Sequence, residues 1–159
     1  GAVAAQRIAV VGHSLGGWTA LEIAGARFDP ERFAEDCKVH TNLSSCRVYQ
    51  QMSPASTAQA KAQLAADRRY PAVTAIVSLD LGLSRGMTDA SLATLPVPTL
   101  VIAGTEDAVT PPAGGHFIQS HVRGAEYAEF YAAHLSNVEQ PVGFAAASID
   151  FLIAGQAEP

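Results

Sequence analysis

The stretch Arg7-Ile8-Ala9-Val10-Val11-Gly12-His13-Ser14-Leu15-Gly16-Gly17 (residues 7–17) decides how this chain is read. Its first five residues form a short apolar, β-branched run that reads as a buried parallel strand, and Leu15 to Ala26 reads as a helix ending near Gly25. Between them Gly12-His13-Ser14-Leu15-Gly16 fits the pattern Gly-x-Ser-x-Gly in the strand–turn–helix context that gives the pattern its meaning. So sharp a turn forces the serine into a strained conformation, and on this reading Gly12 and Gly16 lack side chains so that the backbone can pass closely. Ser14 is then the candidate nucleophile, presented at the strand end. The backbone amide of Leu15 sits at the positive end of the helix and is the candidate oxyanion donor.

A serine hydroxyl is a weak nucleophile until a base takes its proton, so an acid and a histidine are expected downstream, in that order. Asp107 follows the strand-like run Thr99 to Ala103, and His134 follows the run Glu126 to Tyr131. Both therefore fall at the C-terminal ends of parallel strands, where open α/β sheets assemble their sites. Asp80, just after the run Ala72 to Ser78, reaches the same sheet edge and competes as the acid, with Asp107 preferred. His13 is expected to point away along the turn, and His40, His116 and His121 have no catalytic or metal spacing. Trp18 reads as a packing residue.

The four strand-like runs alternate with helical stretches, including 112 to 122 and 141 to 154, which implies right-handed β-α-β units and a parallel sheet. In the last helix Phe144, Ser148, Phe151 and Leu152 share one stripe, and Pro141 suits its first turn. Residues 28 to 70 form an excursion without a strand pattern, with helices expected at 30 to 37 and at 56 to 69, the second capped by Ser56 or Thr57. All 159 residues are read as one α/β domain.

Composition narrows the function. A 48% hydrophobic and 16% charged chain of net charge −5 fits a soluble globular protein, and its scattered basic residues could not neutralise a row of phosphates, which argues against nucleic acid. The longest apolar run is far shorter than the roughly 20 residues needed to span a bilayer. Cys37 and Cys46 enclose a short loop without zinc-site spacing, so they are a local disulfide or two free thiols. A disulfide would fit a secreted or periplasmic location, which the sequence leaves open.

Gly12 to Gly17 (GHSLGG), Asp107 within AGTEDAVTPP, and His134 together resemble the α/β-hydrolase superfamily, over nearly the whole chain. The segment His134 to Pro141 (HLSNVEQP) is similar to the histidine region of 3-oxoadipate enol-lactonases. The excursion at 28 to 70, with FDPERFAEDC, resembles dienelactone hydrolases of the platelet-activating-factor acetylhydrolase type. Enol-lactonases carry a helical cap between the strands that here are 72 to 78 and 99 to 103, and only 20 residues (79 to 98) separate these, which favours the second resemblance. In the lipid acetylhydrolases of that group the acid follows the strand equivalent to 72 to 78, a point in favour of Asp80.

The resemblance implies a C-terminal half of the fold, about four parallel strands. Further strands, and a second oxyanion donor, would come from a preceding segment or from another chain pairing along Arg7 to Val11. The expected function is hydrolysis of a carboxylic ester through an acyl-enzyme, carboxylesterase- or lipase-like, by Ser14, Asp107 and His134, with no cofactor or metal and a small-molecule ester as partner. Lactone hydrolysis by the same residues, and a non-catalytic assembly module, are the alternatives.

Overall fold

A computed structural model describes residues 7–51 and 57–154. Four parallel strands, β1 (Ile8–His13), β2 (Val73–Leu79), β3 (Thr99–Gly104) and β4 (Glu126–Phe130), form one sheet in the order β1-β2-β3-β4. Each lies where its apolar run predicts. In β2 and β3 alternate residues feed opposite faces, as a strand's two-residue period requires. Ile76 and Val101 enter one core, while Val77, Leu79, Leu100 and Ile102 enter the other.

Helices cover both faces. The first core receives Ala20, Leu21 and Ala24 from α1 (Leu15–Ala24) and Phe33 and Cys37 from α2 (Pro30–Val39). Cys46 and Tyr49 come from α3 (Ser44–Gln51), Leu92 from α5 (Asp89–Ala93) and Ile118 from α6 (Ala113–His121). The second core is closed by α8 (Pro141–Ala154), whose Phe144, Phe151 and Leu152 pack on it, and Ser148 is buried on the same stripe. A short α7 (Ser136–Glu139) leads into α8.

The excursion departs from expectation in two places. Helix α4 (Ala58–Leu64) is shorter than the expected 56 to 69. It stops because the Arg27 guanidinium takes the Ala65 carbonyl at 3.0 and 3.2 Å and pairs with Asp67 at 3.0 Å, drawing the chain out of the helix. Thr57 caps it by accepting the Ala60 N–H, and Ser56 lies outside the described residues. Helix α3 is not expected from the sequence, since Ser44 to Gln51 holds few apolar residues, although Cys46 and Tyr49 share its buried face. What fastens it is covalent: Cys37 on α2 and Cys46 on α3 are joined by a disulfide, with Cα atoms 5.5 Å apart.

No helix among the described residues is long and apolar enough to cross a membrane.

Candidate active site

The strand β1 runs straight into the turn at Ser14, which has φ 57° and ψ −119°, conformational territory that a residue with a side chain enters only under constraint. Two hydrogen bonds impose it: the Ser14 N–H reaches the Leu79 carbonyl of β2 at 2.9 Å, and its carbonyl accepts the Gly17 N–H at 3.0 Å. A Cβ at Gly12 would run into the Gly16 carbonyl, so this glycine is required. Gly16 is different from expectation, because a Cβ there would meet nothing within 4 Å among the described residues. The close approach is made instead at Gly17, where a Cβ would sit 2.7 Å from Ser78 Oγ. Leu15 N–H opens α1 and has no helical carbonyl to bond, which leaves it free to serve an anion beside Ser14.

The sheet brings the other candidates to the same end. His134 Nε2 lies 3.2 Å from Ser14 Oγ, and His134 Nδ1 lies 2.9 Å from Asp107 Oδ2. The Asp107 side chain is fully buried, and its Oδ1 accepts the backbone N–H groups of Val109 at 2.7 Å and Thr110 at 2.8 Å. Burial pushes this carboxyl up, but the hydrogen bonds from Thr110, His134 and Val109 outweigh it and hold the group below the usual carboxylate value. An ionised acceptor is therefore fixed against one imidazole nitrogen, while the other faces the serine.

The strand order makes this arrangement demanding. β4 is three strands from β1, a lateral distance of roughly 14 Å, so the chain after β4 must fold back across the sheet end for His134 to meet Ser14. Asp80, at the end of the intervening β2, anchors the return. Its buried carboxylate accepts the Gly104 N–H at 2.9 Å through Oδ1, and the Ser136 hydroxyl at 2.7 Å and N–H at 3.2 Å through Oδ2. Asp80 thus holds the loop that carries His134 and makes no hydrogen bond to the imidazole of His134. Gly104 permits the fold-back, since a Cβ there would strike the carbonyls of Ala132 and Ala133.

Two residues escaped the sequence reading. His13 does not point away: its Nε2 lies 2.6 Å from the His134 carbonyl and 3.5 Å from Asp80 Oδ2, tying β1 to the histidine loop. Thr110 Oγ1 lies 2.6 Å from Asp107 Oδ2, 2.8 Å from the Asp80 carbonyl and 3.1 Å from His134 Nδ1, so it sits inside the acid–imidazole contact. Neither residue has a sequence signal beyond adjacency to Ser14 and Asp107. The remaining histidines stand apart, with His40 against Asp36 and Arg85, His116 against Glu129, and His121 against Asp89. Trp18 packs its ring edge-on against Phe28, as a packing residue does.

A strained serine between strand and helix, facing an imidazole that faces a buried carboxylate at the C-terminal edge of a parallel sheet, is the arrangement of the alpha/beta hydrolase family. The chain belongs to that family, whose sequence pattern matches residues 1–147. Over 53 residues it is 45% identical to 3-oxoadipate enol-lactonase 1 of Acinetobacter baylyi, a match covering 33% of this chain and 20% of that protein. Among solved structures it resembles a predicted CIB-like hydrolase from Thermoplasma acidophilum, with TM-score 0.59 and 17% identity over 93% of this chain and 51% of that one. It also resembles the enol-lactonase from Burkholderia xenovorans LB400, with TM-score 0.52 and 22% identity over 93% of this chain and 66% of that one. These two likenesses are of fold. The chain spans about half to two thirds of the length of the structures it resembles.

Proposed function

We propose that this chain carries the nucleophile, base and acid of a hydrolase that cleaves carboxylic esters through an acyl-enzyme on Ser14. The observation that carries the proposal is the unbroken set of contacts from Ser14 Oγ to His134 Nε2 at 3.2 Å and from His134 Nδ1 to Asp107 Oδ2 at 2.9 Å. In this reading Ser14 Oγ attacks the ester carbonyl carbon as its proton passes to His134 Nε2, and the carbonyl oxygen takes the negative charge beside the Leu15 N–H. Collapse breaks the bond to the alcohol oxygen, which leaves with the proton held by His134. A water molecule then gives a proton to the same nitrogen, attacks the acyl carbon, and the proton returns to Ser14 as the acid departs. Asp107 keeps the imidazole in one tautomer and stabilises its cation throughout.

A second reading, hydrolysis of a lactone by the same three residues, is favoured by the enol-lactonase relatives. The two differ only in whether the leaving oxygen stays tethered to the acyl group. Turnover of p-nitrophenyl acetate and butanoate, set beside ring opening of five-membered enol-lactones, tests them. Open-chain esters turned over at least as fast as lactones support the ester reading, lactone turnover alone supports the second, and neither supports a non-catalytic assembly module.

A further inference from the structure

The arrangement around Ser14 is one-sided. His134 occupies one flank of the hydroxyl, while on another a cavity of about 90 Å³ opens, with Ser14 and Leu15 in its wall and His134 absent from it. A leaving alcohol oxygen must lie within reach of His134 Nε2 to be protonated, and His134 does not line this cavity, so the cavity is assigned to the acyl group. The apolar part of the wall is Leu15, Val48, Leu83 and Val109, and no charged residue lines it. The wall therefore offers a charged acyl chain no ionic partner. The volume is also small beside the roughly 300–1,000 Å³ of pockets that enclose drug-sized ligands.

The far wall is α3, which contributes Ser44, Ser45 and Val48. This helix belongs to the excursion between α1 and β2 and is fastened to α2 by the buried Cys37–Cys46 disulfide, so the wall is held in place rather than formed by the substrate. Opposite it, Gly82 lines both this cavity and a second one of about 120 Å³ that extends past Phe33 and Leu43 and includes Arg85 and His40 in its wall. A Cβ at Gly82 would lie 3.7 Å from Thr110 Cγ2 and 3.9 Å from Leu15 Cδ2, an ordinary fit that narrows the space where the two cavities meet.

We infer that α3 and Gly82 set the acyl specificity of the Ser14 site, which takes a short, uncharged aliphatic acyl group, with Val48 limiting its length. The inference rests on the ester-hydrolase reading and names the substrate class for that site. Its test is the ratio of kcat/KM for p-nitrophenyl octanoate to that for the butanoate, in wild type, Val48→Ala and Gly82→Ala. Wild type favours the butanoate. Val48→Ala raises the ratio about tenfold and Gly82→Ala lowers it about tenfold, the discrimination that a methylene-sized change in an apolar pocket gives. Calorimetric binding of ethyl butanoate and ethyl octanoate to the Ser14→Ala protein, with and without each second substitution, reads the same selectivity without turnover. Robust turnover with neither ratio moving more than twofold overturns the inference and leaves the hydrolase reading standing. Binding ratios that shift as described in a protein that turns over no ester overturn the hydrolase reading instead. No binding of either ester overturns the inference.

Discussion

Gly12 and Gly16 flank the same serine in the sequence pattern, yet only the first is held by contact with backbone. Gly12→Ala forces β1 and the start of α1 apart and is expected to cost about 1–3 kcal/mol or more, with loss of turnover, whereas Gly16→Ala is expected to stay within about 0.5 kcal/mol of wild type. Thermal unfolding of the two variants separates them; equal losses would mean that the turn is not packed as described. The two aspartates divide in a similar way. Asp107→Asn leaves the imidazole in the wrong tautomer, and kcat is expected to fall about 10⁴-fold with little change in folding. Asp80→Asn removes an acceptor from Ser136 and is expected to act mainly on stability, by about 1–3 kcal/mol. A larger kcat loss from Asp80→Asn at unchanged melting temperature would move the acid's role to Asp80. Sequence alone left these two residues in competition, because a position at a strand end says nothing about which way a carboxylate turns. What favours Asp107 is Thr110 beside His134 and the Gly104 and Ser136 amides that donate to Asp80, contacts made across 24 to 56 residues.

Among the elements, α1 carries the serine at its N-terminus and Glu22 near its other end. Glu22 is 1% exposed, neither carboxylate oxygen has a hydrogen-bond partner among the described residues, and Arg68, just beyond α4, places its Nε 3.3 Å from Oε2. Burial outweighs the attraction of Arg68 and Arg27 and pushes this carboxyl from 4.5 to about 7. Between those values the native state keeps a proton that the unfolded chain has released. The stability it contributes is therefore complete below pH 4.5, is lost as pH rises through the window, and levels off above about 7. Glu22→Gln is expected to flatten that slope in a series of melting curves from pH 4.5 to 8; an unchanged slope would assign the pH dependence to other groups. Nothing in the sequence marked Glu22, since an acidic residue on an amphipathic helix reads as solvated. The strands and long helices were legible because apolar runs of strand or helix length, bounded by Gly, Pro and capping residues, survive without knowledge of partners. Helix α3 was not, because its apolar residues are few and what holds it, the bond to Cys37 and the first core, lies outside its own sequence.

At the scale of the molecule, β1 pairs with β2 along one edge and has no strand on the other among the described residues. Its Ala9 and Val11 are exposed, Val11 by 49%, although the strand is apolar on both faces. An open apolar edge is a template for pairing. Self-association through this edge is therefore expected, and sedimentation over a range of concentrations would show it. A monomer at every concentration would mean that the β1 edge is not open to pairing. Activation of Ser14 by His134 can be measured on the chain as it stands. A small fluorophosphonate added to the protein, followed by intact mass and peptide mapping over time, tests it most directly. A single adduct on Ser14 is expected, absent in Ser14→Ala and formed at least about 10³-fold more slowly in His134→Ala. Labelling that survives Ser14→Ala, or that proceeds at the wild-type rate in His134→Ala, would contradict it.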